Sequence, residues 1–259
     1  MTGPLPYIGG KNRLATEIIA LIPEHSTYVE PFSGGAQVLF HKEPSKVEVL
    51  NDLDSEIVNF FRVCQWHYQE LVRHLEYCMM SRKLHELFTG QTTASLTDVQ
   101  RAARFFYLQK NSFGGLVVKQ RFHYGVAHPS NYNVRRIPEI IEQTHHRLIN
   151  VQIECLPYER VLAIYDRPGT FFYLDPPYWH RRLYKYNFEE EDFVTMAERL
   201  QTLKGRFILS LNDDPGVRRV FSQFHTRETE LAYSAQTRTH EKFSELLIAN
   251  FDLPAIDSS

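Results

Sequence analysis

The side chains best suited to chemistry lie in Phe171-Phe172-Tyr173-Leu174-Asp175-Pro176-Pro177-Tyr178, where an apolar run stops at a carboxylate, two prolines and an aromatic ring. The run reads as a buried strand, and open α/β sheets place their ligands at the carboxyl ends of strands. Two prolines end the hydrogen-bond ladder and stiffen the turn, so the carbonyls of Asp175 and Pro176 can accept bonds from a ligand. A carboxylate and a carbonyl that accept two N–H bonds, beside a ring covering a flat face, suit a planar amine. Taken alone, an Asp-Pro turn that merely caps a strand is the more ordinary reading. The neighbouring segments shift the balance towards a site.

A second strand, Tyr28-Val29-Glu30, runs into Pro31-Phe32-Ser33-Gly34-Gly35-Ala36 and then an apolar helix, Gln37 to His41. Glycines at such a turn let backbone approach a ligand closely, although no GxGxxG pattern is present. A third strand ends at Leu50-Asn51-Asp52, which puts Asp52 where nucleotide-binding sheets keep an acid for ribose hydroxyls. A plain helix N-cap is the alternative for Asp52, but Asp54 can fill that role equally well. Near the start, Tyr7-Ile8-Gly9-Gly10-Lys11 presents an aromatic and a lysine at a helix beginning. Positive charge is disfavoured there unless a carboxylate binds.

The elements that must position these residues follow from apolar periodicity. Strands are expected at Tyr28 to Glu30, Val47 to Leu50, Val151 to Glu154, Phe171 to Leu174, Arg206 to Leu211, Thr226 to Tyr233 and Glu245 to Ala249. Most are continuous apolar runs, as in an open parallel sheet covered on both faces. Helices are expected over Lys11 to Ile22 and Glu190 to Leu203, the second opening on four acids that suit the helix dipole. The stretch from Glu56 to about Asn150 carries helical patterns, Glu56 to Met79 and Leu96 to Gln109, but no clear strand. It reads as an inserted module. The division is therefore 1–55 with 151–259 as one α/β domain and 56–150 as an insertion.

With 259 residues, 43% of them hydrophobic, the chain can bury a sizeable core. No apolar run approaches the ~20 residues that span a bilayer, and Met1 to Lys11 lacks the layout of a signal peptide, so a cytoplasmic protein without membrane contact is expected. Cys64, Cys78 and Cys155 are dispersed and lack metal-ligand spacing, so they are expected to be small buried hydrophobes rather than a disulfide or zinc framework. The net charge of −2 gives no global pull towards nucleic acid. The local balance differs: Arg101, Arg104, Lys110, Lys119, Arg121, Arg135, Arg136 and Arg147 face only Glu139 and Glu142 between residues 101 and 147, a local charge of +6. Aromatic rings and histidines are interleaved with these cations, a mixture suited to phosphate contact and base stacking. A solvated surface is the plainer reading of a charge run by itself.

Six blocks in order, Tyr7 to Lys11, Glu30 to Gly35, Asn51-Asp52, Asn111-Ser112-Phe113-Gly114-Gly115, Asp175 to Tyr178 and Leu209-Ser210-Leu211-Asn212, resemble the Dam-like, D12-class, alpha-group DNA adenine-N6 methyltransferases. That resemblance implies an α/β fold with a seven-stranded Rossmann-like methyltransferase sheet and an inserted, mainly helical target-recognition module. It implies S-adenosyl-L-methionine as cofactor, double-stranded DNA as partner and methylation of a flipped-out adenine at N6, with no metal. A cognate restriction endonuclease is a further partner compatible with it. By the same resemblance, Tyr7 contacts the cofactor, Lys11 its carboxylate, the turn Pro31, Phe32, Ser33, Gly34, Gly35 its methionine part, and Asp52 its ribose. Asp175, Pro176, Pro177 and Tyr178 hold the adenine, with Asp175 also touching the cofactor. Lys110, Asn111, Lys119, Arg121, Asn133, Arg135 and Arg136 belong to the DNA-contacting segment, and Arg181 and Arg182 meet phosphates beside the flipped base.

Three features depart from the family pattern. Pro157 stands where many relatives carry an acid, so no adenine-ring contact is assigned there. Pro6 stands where GATC-methylating relatives tend to have lysine, which makes GATC a poor default target. The loop Trp179 to Phe188 is unusually basic and aromatic, with no assigned role. The alternatives are an N4-cytosine methyltransferase, whose amine poses the same geometric problem, and an idle DNA-binding protein on a methyltransferase shell. An RNA or protein amine methyltransferase fits the basic module less well, and a nicotinamide oxidoreductase would need the missing phosphate-binding glycines.

Overall fold

The computed structural model describes residues 2–6, 12–112, 132–182, 184–231 and 243–254. Seven strands form one sheet: β1 (Thr27–Glu30), β2 (Val47–Asn51), β3 (Val151–Glu154), β4 (Thr170–Leu174), β5 (Arg206–Asn212), β6 (His225–Leu231) and β7 (Phe243–Ala249). Their order across the sheet is β3-β2-β1-β4-β5-β7-β6. All pairings among the first five are parallel, and β7 runs antiparallel to both β5 and β6. The sheet is therefore mixed rather than wholly parallel. The connection between β6 and β7 is short for a parallel crossover, in keeping with their antiparallel pairing.

Alternation along each strand divides the core in two. Tyr28, Phe171 and Tyr173 face a layer made by α1 (Asn12–Leu21), α2 (Gln37–His41), α3 (Ser55–Trp66), α4 (Tyr68–Glu76), α6 (Asp98–Asn111) and α7 (Ile137–Leu148), with α5 (Arg82–Gly90) packed on α6. Val29, Phe172 and Leu174 face the other layer, made by α8 (Tyr158–Tyr165), α9 (Glu190–Gln201) and α10 (Pro215–Val220). The central strands are buried on both sides, which accounts for their unbroken apolar runs. Edge strand β3 is covered on one side only, and its burial falls away towards Glu154.

Helix boundaries follow local chemistry. Thr97 and Gln100 form a reciprocal capping box at α6, and Glu189 with Asp192 does the same at α9. Asp54 caps α3 by accepting from Glu56 N at 3.1 Å. The pattern from Glu56 to Met79 is two helices, not one, because the chain leaves helical geometry at His67 (φ −136°, ψ 36°). α3 lies inside the block read as an insertion, yet its Ile57 and Phe60 share one core with Tyr28 and Leu50 of the sheet.

Two expectations from the sequence need correction. Cys64 is buried, but Cys78 is half-buried and Cys155 exposed, since the latter follows the last residue of an edge strand. Among the described cations behind the local +6, Arg101, Arg104 and Arg147 are held by the fold. Arg101 pairs with Glu56, Arg104 donates to the Phe88 carbonyl at 2.6 Å, and Arg147 pairs with Glu48.

The Glu48 pairing is a buried cluster. Its Oε1 accepts from Lys42 Nζ at 2.6 Å and its Oε2 from Arg147 at 2.5 Å, with each side chain about nine-tenths or more buried. Lys42 Nζ also stands 4.4 Å from the centre of the Tyr28 ring. Burial acts against the Glu48 charge, but the bonds from Arg147 and Lys42 prevail and hold its carboxyl below the ordinary range. This links α2, β2 and α7.

Candidate active site at the carboxyl end of the sheet

The strand order reverses between β1 and β4, which are paired neighbours whose chains depart to opposite sides. Doubly wound sheets bind ligands in the crevice outside that point. A cleft of about 520 Å³ opens there, and its wall includes Glu30, Gly34, Asp52, Pro157, Asp175 and Pro177. The two segments singled out from sequence, Pro31 to Gly35 and the Asp175 turn, are thus brought to one cavity by a topology that neither segment encodes.

The floor is the turn after β1. Gly34 (φ 45°) and Ala36 (φ 50°) both adopt left-handed backbone, where glycine is favoured and an alanine is strained. Asp52 holds the turn: its Oδ2 accepts from Gly34 N at 2.9 Å and its Oδ1 from Asp54 N at 2.8 Å. Withdrawal from water outweighs those two bonds and raises the Asp52 carboxyl to about 6. A carboxylate has about four acceptor positions, so Asp52 keeps capacity for a ligand hydroxyl.

Asn51, to which the sequence reading gave no task, ties three strand ends together. Its amide donates to the Pro31 carbonyl at 2.8 Å and the Leu156 carbonyl at 2.9 Å, and its Oδ1 accepts from Leu156 N at 2.8 Å. A polar residue closing an apolar strand was the available signal.

Glu30 is the second residue the sequence reading left without a role. It is 1% exposed, accepts from Tyr28 Oη at 2.7 Å and from Leu39 N at 2.8 Å, and lies in the cleft wall. Burial dominates those bonds and raises its carboxyl from 4.5 to about 8. A carboxyl raised in the folded state favours folding fully below its unfolded value, and that contribution is lost as pH rises through the folded value. Glu30→Gln removes this dependence, so urea unfolding should show the variant gaining on the wild type by a few kcal/mol between pH 4.5 and 8. Parallel stability curves across that range would refute the assignment.

On the other wall, β4 carries Tyr173 and is followed by Asp175, whose Oδ1 accepts from the Ser210 hydroxyl at 3.2 Å. Tyr178 donates to Glu245 of β7, and Asn212 Nδ2 reaches the Trp179 carbonyl at 3.4 Å. Trp179 is buried against Phe193, and a side chain at Gly216 would collide with its ring at 2.4 Å. Strands β5 and β7 therefore grip the whole turn. Burial first, then the carboxylates of Glu245 and Asp175, raise the Tyr178 hydroxyl well above its ordinary value.

The loop without an assigned role closes one side of the cleft. Lys185 Nζ reaches Asp54 at 3.0 Å, Tyr184 and Asn187 exchange hydrogen bonds, and Phe188 packs on Phe32 and Tyr158 with centroids 5.8 Å apart in each case. Its aromatic content is explained by this packing. Pro157, to which no contact was assigned, also lines the wall.

The residues expected to meet DNA are placed unevenly. Asn133, Arg135 and Arg136 are exposed, and Asn133 caps the short 3-10 turn they share. Lys110 stands 5.5 Å over the Phe106 ring, and burial together with the nearby Arg136 lowers its ammonium to about 8. Arg181 and Arg182 are exposed, the latter 2.7 Å from Glu189. Asn111 departs from expectation: it is fully buried and donates to the Tyr107 carbonyl at 2.9 Å, so it finishes α6 instead of facing solvent. Tyr7, Lys11, Lys119 and Arg121 lie outside the described residues.

A doubly wound α/β sheet in this order, with Asp175 and Pro177 opposite a glycine turn across one cleft, is the architecture of an α/β enzyme with a ligand crevice at the carboxyl end of its sheet. The chain matches the D12 class N6 adenine-specific DNA methyltransferase family over residues 7–240. It is similar to the type II methyltransferase M1.LlaDCHI of Lactococcus lactis, 27% identical over 95% of this chain and 94% of that protein. It is also similar to the type II methyltransferase M.MjaIII of Methanocaldococcus jannaschii, 24% identical over 78% and 80%, and to the DNA adenine methylase of Escherichia coli, 24% identical over 94% and 93%. The chain belongs to the D12 class family and is an adenine-specific DNA methyltransferase.

Among the described residues no helix is long and apolar enough to cross a membrane.

Proposed function

We propose that the methyl donor is S-adenosyl-L-methionine, bound along the Pro31 to Gly35 turn, and that an adenine flipped from duplex DNA enters beside Asp175 to Tyr178. The observation that carries this is one cleft lined both by Pro31 to Gly35 and by Asp175 and Pro177. Its volume of about 520 Å³ is that of a small-molecule site, and its chemistry suits this donor. Asp52 offers acceptors for a ribose diol, and the left-handed Gly34 lets a ligand lie against bare backbone. Phe32 and Tyr158, 5.2 Å apart, supply aromatic surface for a ring. Tyr7 and Lys11 complete the cofactor contacts in this reading.

When bound, the donor supplies a methyl group activated by its positive sulfur. The chain's own task is alignment. Asp175 and the Pro176 carbonyl accept the two N6 hydrogens, which turns the nitrogen lone pair towards the donor methyl. Pro177 and Tyr178 bound the base. Asp175 stabilises positive charge as it grows on N6. Extrusion of the base is needed because N6 is paired inside the duplex, and it costs a few kcal/mol that DNA contacts offset.

Those contacts come from Lys110, Lys119, Arg121, Asn133, Arg135, Arg136, Arg181 and Arg182, acting on phosphate and base edges. Residues 56–150 act as target-recognition module in this reading, even though α3 also serves the common core. Phosphate beside Lys110 would restore the charge that burial and Arg136 weaken. A cognate restriction endonuclease is proposed as a functional companion, since one relative is named "Modification methylase StsI".

The test is incubation with methyl-labelled S-adenosyl-L-methionine and long duplexes, with the label located by hydrolysis to nucleosides. Label in N6-methyladenosine, and none in duplexes that lack adenine, is the expected result. Equal incorporation into adenine-free duplexes would instead support transfer to N4 of cytosine.

A further inference from the structure

Ser210 lies in Leu209-Ser210-Leu211-Asn212, a block to which the methyl-transfer reading gives no catalytic task. It is fully buried on β5, and it bonds both to Asp175 Oδ1 at 3.2 Å and to Tyr173 Oη at 3.0 Å. Parallel pairing of β4 with β5 sets this contact: Leu174 is opposite Leu209, so the next residue of each strand, Asp175 and Ser210, meet at the sheet's carboxyl end. Tyr173 is two residues before Asp175, 3% exposed, and so lies on the same face of β4.

A serine hydroxyl has one proton and two lone pairs. Because Ser210 donates its proton to Asp175, the bond to Tyr173 must run the other way, with the phenol donating to Ser210 Oγ. The three groups therefore form a directed chain, Tyr173 to Ser210 to Asp175, whose last member receives a hydrogen bond strengthened by the first.

We infer that Tyr173 and Ser210 are positioning residues for methyl transfer: their hydroxyl chain fixes the orientation of the Asp175 carboxylate towards the substrate amine. Neither needs to touch the base. Ser210 acts through Asp175, and Tyr173 acts through Ser210. The carboxylate leaves a β-strand that ends abruptly, and the bond from Ser210 adds a lateral restraint on its orientation to that of the adjacent prolines. Alignment within a few tenths of an ångström governs the rate of a step whose catalysis is mainly orientation.

This rests on the reading of Asp175 as the group that receives the amine, and the experiment separates the two ideas. Single-turnover methylation is measured with enzyme in excess over sites in adenine-unmethylated genomic DNA, at saturating S-adenosyl-L-methionine, for Asp175→Ala, Ser210→Ala, Tyr173→Phe and the Ser210→Ala/Tyr173→Phe double variant. Ser210→Ala should lower the rate about tenfold, as expected for one lost bond to a charged acceptor, with KM for DNA and cofactor changed less than about twofold. Tyr173→Phe should give a smaller loss. The double variant should be no slower than Ser210→Ala, because the hydroxyl chain from Tyr173 reaches Asp175 through Ser210. Additive losses, an unchanged rate in Ser210→Ala, or an effect confined to KM would overturn the inference. If Ser210→Ala does not fold, an unchanged rate in Tyr173→Phe overturns it instead. A fully active Asp175→Ala removes the underlying reading, whereas an inactive Asp175→Ala beside fully active Ser210 and Tyr173 variants removes only the chain.

Discussion

Replacing Asp175 with alanine is expected to slow methyl transfer about 100- to 1,000-fold, the range for losing one preorganised electrostatic contact at a reacting centre. The carboxylate stands where β4 ends, held by Ser210 from β5, and its wall faces the glycine turn across one cleft. Cofactor binding should weaken but stay measurable by calorimetry, because Asp52 and the Pro31 to Gly35 turn are untouched. Asp175→Asn sharpens the test. It keeps the shape but offers an amide donor and no charge to an amine that itself donates, so it should be nearly as slow as alanine. Near-normal turnover in Asp175→Asn would show that neither charge nor acceptor capacity at this position matters.

The second large effect is on stability. Glu48→Ala removes the anion between Lys42 and Arg147, both largely buried, and leaves two positive groups without their shared partner. Breaking a buried pair in this way costs about 3–5 kcal/mol. In a chain of this size that is roughly a 10 °C fall in Tm by calorimetry. The intact cluster also predicts a pH dependence. Glu48 has its carboxyl depressed in the folded state, so its contribution is present above the unfolded value and fades as pH falls through the lower folded one. The acid limb of the wild-type stability curve should therefore flatten in Glu48→Ala. An unchanged Tm would mean that water or other groups compensate both cations.

Local patterns carried much of the architecture. The seven strands were legible to within two residues at each end, because apolar runs broken by Gly, Pro and acids are local signals. The α9 start was equally plain, since its capping acids are consecutive. The helical pattern over Glu56 to Met79 is interrupted at His67, where nothing in the residue type announces a break. The direction of β7 was missed because an apolar strand packed on both faces looks the same whichever way it runs.

Charge was read less well than pattern. Counting cations between residues 101 and 147 treats Arg101, Arg104 and Arg147 like Arg135 and Arg136, yet the first three are bonded to Glu56, the Phe88 carbonyl and Glu48. Those partners lie 45, 16 and 99 residues away in the chain. Asn111 failed for the same reason: its burial depends on helices that pack around α6.

What the sequence determined by itself was the rigid acid-Pro-Pro-aromatic turn from Asp175 to Tyr178, the glycine turn after Glu30 and the order of the family's blocks. Each is a property of adjacent residues whose backbone limits and donor sets are fixed by type. What only the tertiary structure decided was their meeting in one cleft at the reversal between β1 and β4, together with the roles of Asn51, Glu30 and Ser210. Those roles arise from strand order and register, which bring together groups that are distant along the chain, and no local pattern specifies either.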